Sequence, residues 1–148
     1  MKTIGRNDKV DFPALKLFNI KVKVDTGAYT STIHSHDIKE VEVEGEKYLE
    51  FKLLDPEHKK FKDLIFRVKD YSIKKIKSSF GDMEERFIIS TTIRIFAEEL
   101  PIELSLSKRT DMKYPILLGR KFINKRFVVD TSQRNLSYLL KREQKKNQ

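Results

Sequence analysis

Cysteine is absent from this chain of 148 residues. Its absence excludes disulfide bonds, thiolate zinc fingers, iron–sulfur clusters and cysteine nucleophiles. No apolar run approaches the roughly 20 residues that a membrane-spanning helix needs. The first residues lack the apolar core of a signal peptide. No Gly-x-x-x-x-Gly-Lys loop for nucleotide phosphates occurs either. We therefore expect a soluble, cytoplasmic protein that needs no cofactor.

The charge is strongly basic, with 31 Lys and Arg against 22 Asp and Glu, a net charge of +9. Such a balance is typical of proteins that meet an acidic partner: a nucleic acid, an anionic membrane or an acidic peptide. The cations, however, are spread along the chain and cluster only at 74–77 and 141–148. We interpret most of them as solvated surface and expect neither a membrane nor a nucleic-acid partner. A ribosome- or RNA-associated protein is the weaker alternative.

Apolar residues recur mostly with a period of two, which predicts β-strands. Glycine is scarce, and the five glycines lie at the ends of these segments, as turn residues do. The Gly45-Glu46 pair predicts a hairpin turn. Only Ser35–Lys39 and Gly119–Asn124 look helical. The predicted strand segments are 20–24, 41–43, 48–53, 64–68, 87–96, 102–106, 114–118 and 127–129.

The length is that of one domain. We assign this domain to residues 1–140, because neither an internal repeat nor a linker interrupts them. The remaining residues, 141–148, form a basic tail that we expect to be disordered. Many short strands with turn signals predict a small all-β barrel or sandwich.

The segment with the clearest chemical signal is Asp25-Thr26-Gly27-Ala28, at the end of a predicted strand. Acidic turns after strands are common, so this tetrapeptide alone is weak evidence. Its context strengthens it, because an apolar strand delivers the Asp onto a tight turn and Gly allows close approach of a backbone. Far downstream, the apolar run Ile116–Leu118 ends at Gly119-Arg120 and leads into a short predicted helix.

Together these two motifs resemble those of the retropepsins, the homodimeric aspartic peptidases. The similarity extends over roughly residues 4–140. It matches a cellular, retropepsin-like branch that is also described as ATP-dependent zinc proteases. Members of that branch are often associated with ATP-grasp enzymes that ligate glutamate onto ribosomal protein. The segments that carry the resemblance are Ile4–Arg6, Lys23–Ser31, His34, Asp111–Arg120 and Arg126–Asp130.

The resemblance implies an all-β fold, a closed acid-protease barrel with a six-stranded core and one short helix after Gly119. It also implies a homodimer in which Asp25 of each subunit contributes to one catalytic dyad. Two carboxylates about 3 Å apart cannot both ionise, so they share a proton. One then activates water while the other donates a proton to the scissile carbonyl. By resemblance, Thr26 braces the two loops and Gly27 keeps the substrate backbone close.

The resemblance further implies which residues bind substrate and which support the site. The viral enzymes carry an acid where this chain has Tyr29, so the partner of Arg120 is open. Their lid is glycine-rich, whereas the segment 77–82 has one glycine. The implied substrate is a peptide or protein, and an acidic, glutamate-tailed protein is one hypothesis. Substrate binding is expected from Ala28, Tyr29, Ser79, Phe80 and Gly81, and support of the site from Leu117, Leu118, Gly119 and Arg120.

Three alternatives accompany this interpretation. The first is a peptide-binding module of the same fold without catalysis. The second is a zinc-dependent hydrolase that uses His34 and His36, since two histidines and a carboxylate can hold zinc. No His-Glu-x-x-His helix is present, and we expect no metal site. The third takes Asp130-Thr131-Ser132 as a second catalytic motif, but we expect it to be a strand-ending turn.

Overall fold

The structure is a computed structural model that describes residues 1–77, 80–109 and 112–147. Strands dominate these residues, which confirms the predicted mostly-β architecture. The elements are β1 (Lys2–Ile4), β2 (Asn7–Phe12), a 3-10 helix (Pro13–Leu15), β3 (Leu17–Val24), β4 (Ser31–Val43), β5 (Glu46–Leu53), β6 (Phe66–Val68), β7 (Tyr71–Lys77), β8 (Met83–Ile95), β9 (Glu98–Ser107), β10 (Ile116–Leu118), α1 (Arg120–Ile123), β11 (Phe127–Val129) and α2 (Leu136–Lys146).

Six of the strands are paired in a closed path, in which the last strand pairs with the first. Strand β10 pairs with β3 in parallel and with β4 in antiparallel. The path β10-β3-β2-β8-β9-β4 therefore leads back to β10 through six strands. Outside this path, β5 and β6 extend the sheet from β4, β7 pairs with β8, and β1 pairs with β11 in a separate two-stranded sheet.

Alternation of side chains explains which strands form. In β3, Ile20, Val22 and Val24 are buried while Lys21 and Lys23 are exposed. Because successive side chains of a strand point to opposite faces, one face of β3 covers the core and the other faces water. The fully buried centre of the molecule is built from the same kind of residue on several strands, namely Phe12, Ile20, Val22, Ile33, Phe51, Ile93, Leu104, Ile116 and Leu118.

Two hairpins turn through residues with positive φ. The β4–β5 turn uses Glu44 (φ 52°) and Gly45 (φ 82°), one residue earlier than the predicted Gly45-Glu46 pair. The β8–β9 turn uses Phe96 (φ 51°) and Ala97 (φ 61°). Positive φ at both central residues matches the right-handed twist of the flanking strands. Phe96 and Ala97 are unusual residues for such a turn, because neither phenylalanine nor alanine favours positive φ.

The predicted helical turn at Ser35–Lys39 is wrong. These residues lie inside β4, where the register with β5 shifts between His36 and Lys39. The extra residue is Asp37, whose φ of 52° is typical of a β-bulge. A bulge breaks the period-two alternation, and so this segment loses the sequence pattern of a strand.

The C-terminal segment also differs from its prediction. Residues 141–146, expected to be disordered, form the second half of α2. The carboxylate of Asp8 accepts the N–H groups of Ser137 and Tyr138 at 2.9 and 3.1 Å. The ammonium of Lys141 contacts both carboxylate oxygens of Asp11, at 3.0 and 2.9 Å. These partners lie on β2, about 130 positions earlier, so a local pattern does not reveal them.

Helices of the kind that cross a membrane, both long and apolar, are not found in the described part of the chain.

Candidate active site

Asp25 is fixed by the turn that follows β3. Its backbone N–H donates to the carbonyl of Leu118 on β10 at 2.9 Å. Its own carboxylate oxygen Oδ1 accepts the N–H of Gly27 at 3.1 Å, and its carbonyl accepts the N–H of Ala28 at 3.3 Å. The side chain is half-buried, and the turn holds it in one orientation.

Helix α1 clamps the loop that carries Asp25. The first N–H groups of a helix have no acceptor within it. Here the N–H groups of Arg120 and Lys121 donate to the carbonyls of Ala28 and Tyr29, both at 2.9 Å. These two hydrogen bonds hold the loop against α1, and the loop carbonyls supply the acceptors that the first N–H groups of α1 lack within the helix.

Gly119 is required where these two segments meet. Its N–H donates to the hydroxyl of Ser31 at 2.9 Å. A Cβ atom at this position would lie 2.6 Å from the carbonyl oxygen of Tyr29 and 2.8 Å from the carbonyl carbon of Thr30. Since both are backbone atoms, a side chain here would displace the loop.

The structure identifies the partners of Arg120. Its Nη1 atom donates to the carbonyl of Thr26 at 2.9 Å, and its guanidinium lies 5.8 Å from the ring centroid of Tyr29. A cation over an aromatic face is attracted to it. A carbonyl and a ring thus bind Arg120 where the viral enzymes use an acid, and Tyr29 compensates for that difference.

A cavity of about 210 Å³ opens beside the Asp25 side chain. Its walls include Ala28 and Leu117, together with Ile76 and Phe80 of the hairpin formed by β7 and β8. The hairpin and the loop that carries Asp25 therefore share this cavity. Leu118 is fully buried, and its backbone carbonyl is the acceptor for the N–H of Asp25.

A second, open groove of about 660 Å³ adjoins the first, and Ile76 and Phe80 line both. Gly27, Tyr29, Phe80, Gly81 and Arg120 line it. Of the residues predicted to bind substrate, Ala28 lines the first cavity, Tyr29 and Gly81 line the second, and Phe80 lines both. Ser79, predicted with them, lies outside the described residues.

Sequence reasoning missed the cations of the site. The cavity beside Asp25 is lined by Lys23, Lys77, Arg86, Arg109 and Lys113. For one of these residues the sequence does carry a signal. Arg86 lies two positions before the buried Ile88, so the alternation of β8 places it on the inward face.

His34 and His36 lie on β4, and His58 lies in the loop between β5 and β6. Burial lowers the pKa of His34, which keeps its imidazole neutral near pH 7. The backbone N–H of His34 donates to the carbonyl of Pro115 at 2.8 Å. The His36 Nδ1 atom lies 3.5 Å from the carboxylate of Asp37. Across 1–77, 80–109 and 112–147, no three His, Asp or Glu side chains form a cluster suited to a metal ion.

Asp130 lies in the turn after β11, as expected. Its carboxylate oxygen Oδ1 accepts the N–H and the hydroxyl of Ser132 at 3.0 and 2.6 Å, and these bonds lower the pKa of Asp130. Its N–H donates to the carbonyl of Ile4 at 2.9 Å. These contacts tie β11 to β1 and give Asp130 a structural role.

The chain is similar to known proteins over most of its length. It is 35% identical over 130 residues to a protein of Shewanella halifaxensis named "Probable alpha-L-glutamate ligase", and 34% identical over 135 residues to a protein of Desulfotalea psychrophila with the same name. These matches cover 88% and 87% of this chain. The chain spans 28% of the length of each of these curated relatives.

A solved structure has the same fold. Protein Lpg0085 of Legionella pneumophila, whose function is unknown, superposes with a TM-score of 0.72 and 26% identity, over 92% of this chain and 98% of that one. The family model described as "Retropepsin-like aspartic endopeptidase RimB" matches residues 3–138. The chain therefore belongs to the RimB-like family of retropepsin-like aspartic endopeptidases.

Proposed function

We propose that this chain is a homodimeric aspartic endopeptidase in which Asp25 of each subunit supplies one half of a catalytic dyad. The observation that carries the proposal is the fixed presentation of Asp25 beside a cavity that the β7–β8 hairpin also lines. In this interpretation the ring of six paired strands is the acid-protease barrel of the family.

Dimer formation would use the exposed tip of the catalytic loop. Thr26 and Gly27 are exposed, next to the half-buried Asp25. A two-fold axis through this tip would bring the two loops together, since a symmetric interface joins the same patch on both subunits. The carbonyl of Thr26 is already bound by Arg120, so the loop is held in place before a partner arrives.

The proposed reaction is hydrolysis of a peptide bond by water. The two carboxylates share one proton. The ionised carboxylate removes a proton from the water, which attacks the scissile carbonyl carbon, and the protonated one donates to the carbonyl oxygen. In the breakdown of the tetrahedral intermediate, the C–N bond breaks as the carboxyl group that took the proton from water gives it to the leaving amine. A hydroxyl of the intermediate returns its proton to the other carboxylate, which restores the dyad. This scheme needs neither a metal ion nor ATP.

The proposed substrate is acidic. The net charge of +9 and the cations around the cavity favour a peptide rich in carboxylates. The relatives of Shewanella and Desulfotalea carry the name of a glutamate ligase. We therefore propose a protein with a glutamate tail as substrate, and a functional link to an ATP-grasp ligase that adds such tails.

The variant Asp25→Asn tests the proposal. Turnover of a glutamate-rich peptide should fall at least about a hundredfold, since general acid–base catalysis contributes about 10²–10⁴-fold. Asparagine keeps the side-chain oxygen that binds Gly27, so the urea midpoint should stay close to that of the wild type. Asp130→Asn makes the same chemical change at the structural turn and should leave turnover unaltered.

Undiminished turnover in Asp25→Asn would contradict the aspartic mechanism. A wild-type protein that binds glutamate-rich peptides but never cleaves them would contradict catalysis itself, and would favour a peptide-binding module of the same fold.

A further inference from the structure

Arg86 is a cation inside the cavity rather than at its edge. The residue lies on β8 and is only 8% exposed. Its Nε atom donates to the carboxylate of Glu84 at 3.0 Å, and Glu84 is itself 41% exposed. Burying a charge is costly unless it is paired and hydrogen-bonded. A buried guanidinium with one partly solvated partner can bind a further anion.

Two hydroxyl groups complete the surroundings of this guanidinium. Nη1 of Arg86 donates to the oxygens of Thr32 and Ser105, both at 3.3 Å, and these two oxygens lie 2.7 Å apart. One hydroxyl hydrogen serves the bond between Thr32 and Ser105, which leaves the other hydroxyl hydrogen to donate elsewhere. Over residues 1–77, 80–109 and 112–147, the Nη2 atom of Arg86 has no hydrogen-bond acceptor.

Strand register places this group near the catalytic loop. Leu117 on β10 pairs with Lys23 on one side and Thr32 on the other, and Thr32 pairs with Ser105. Lys23 precedes Asp25 by two residues. Two strand spacings separate Lys23 from Thr32, about 10 Å. An extended peptide advances about 3.3 Å per residue, so Arg86 is within reach of a substrate side chain about three residues or fewer from the scissile bond.

The other cations of the cavity differ from Arg86 in their exposure. Lys23, Lys77 and Lys113 are exposed. Water and salt screen such charges, so they attract acidic peptides without distinguishing one position from another. Arg109 lies 4.7 Å from the ring centroid of Phe80 on the hairpin. Arg86 is the desolvated member, and a charge out of water interacts more strongly with a ligand.

We propose that Arg86, with the hydroxyls of Thr32 and Ser105, forms a subsite for the carboxylate of one acidic substrate side chain near the scissile bond. This inference rests on the proposed function. The Nη2 atom of the planar guanidinium offers its two hydrogens to the carboxylate, and one hydroxyl donates a further bond. Glu84 holds the guanidinium from its Nε side. Arg86 is thus the residue that determines specificity at this position.

The test uses peptide pairs that differ by Glu or Gln at one position within three residues of the cleaved bond. At one position the wild type should prefer Glu by at least about tenfold in kcat/KM, since a matched buried polar site rejects an analogue that leaves it unpaired. Arg86→Met should bring this ratio close to one, mainly by slowing the Glu peptide. Arg86→Lys keeps the charge but loses the paired donors, and should give an intermediate ratio.

Lys113→Met is the matched control, because it removes an equal charge from the exposed part of the same cavity. It should slow both peptides of each pair together, and the effect should shrink as salt is added. If Arg86→Met leaves the ratio of kcat/KM between the Glu and Gln peptides unchanged, the proposed subsite is wrong. If Arg86→Met does not fold by circular dichroism, Arg86→Lys decides, and an unchanged ratio there would overturn it equally.

Binding separates this inference from the proposed function. In the Asp25→Asn background, calorimetry should show tighter binding of the Glu peptide than of the Gln peptide, and Arg86→Met should remove the difference. Arg86-dependent binding in a protein that never cleaves would defeat the proposed function but support the subsite. Cleavage with equal rates for Glu and Gln peptides at every position would defeat the subsite alone.

Discussion

Arg120 joins helix α1 to the tip of the loop that carries Asp25. It reaches the loop in two ways, through the carbonyl of Thr26 and through the ring of Tyr29. Because Arg120 is exposed, these contacts are partly screened and stabilise the whole fold only modestly. They fix the position of the residues beside Asp25, and under the proposed function a small displacement there would have a large effect on rate.

We predict that Arg120→Met lowers kcat/KM about tenfold or more, equivalent to about 1.4 kcal/mol of transition-state stabilisation. The free energy of unfolding should fall by no more than about 1 kcal/mol. Peptide hydrolysis and urea denaturation measure the two effects.

Arg126 offers a control for this substitution. It contacts α1 in the same manner, with Nη1 3.0 Å from the carbonyl of Phe122 and the guanidinium 5.1 Å from the ring centroid of Phe122. Arg126→Met should cost similar stability and leave kcat/KM nearly unchanged. Equal losses of activity in the two variants would show that Arg120 has no special role in the site.

At this scale the sequence predicts part of the site. Asp25 and Gly119 were identified because each belongs to a short contiguous motif whose chemistry is evident from neighbouring residues. The partner of Arg120 was not, because Tyr29 replaces the expected acid and a backbone carbonyl leaves no signature. The position of Arg86 in the site is not predicted, because it depends on a contact with Thr32, which lies 54 positions away in the sequence.

Helix α2 stabilises the turn between β8 and β9. Phe96 and Ala97 both have positive φ there, which is strained for residues other than glycine. The N–H of Phe96 donates to the hydroxyl of Ser137 at 2.8 Å, and Ser137 is 6% exposed. Asp8 on β2 in turn accepts the N–H of Ser137 at 2.9 Å. Three elements therefore meet at one serine.

We predict that Ser137→Ala lowers the free energy of unfolding by about 1–3 kcal/mol, since it leaves the buried N–H of Phe96 without its acceptor. Urea denaturation measures the loss. Ser132→Ala, at the exposed turn after β11, should change the free energy by less than about 0.5 kcal/mol. A loss of that small size in Ser137→Ala would contradict the role assigned to α2.

At the scale of elements, the period-two pattern predicts strands such as β3, which has one buried and one exposed face. It does not predict β2 or the first part of β4, where Ser31–Ser35 are all buried. The prediction fails at Ser35–Lys39, where the bulge at Asp37 interrupts the alternation. It also fails for α2, in which every residue from Lys141 onward is polar. Tertiary contacts from Asp8 and Asp11 order that helix, and local propensity does not include them.

Each copy of the molecule presents Asp25 once, half-buried beside the exposed residues Thr26 and Gly27, and hydrolysis by the proposed scheme needs two such carboxylates. Family membership and the mostly-β fold follow from the motifs and alternation, and the comparisons confirm the family. The pairing of two copies, unlike the fold, does not follow from the sequence pattern of one chain. It depends on complementarity between surfaces, which neither a motif nor the periodicity of one chain specifies.

Activity of mixed dimers tests this central claim most directly. Wild type and Asp25→Asn are unfolded together in urea at known ratios, refolded, and assayed for peptide hydrolysis per total protein. If one dyad needs Asp25 from both subunits, activity follows the square of the wild-type fraction, and an equal mixture retains about one quarter. Activity proportional to the wild-type fraction, about one half in that mixture, would show that each chain acts alone and would contradict the account.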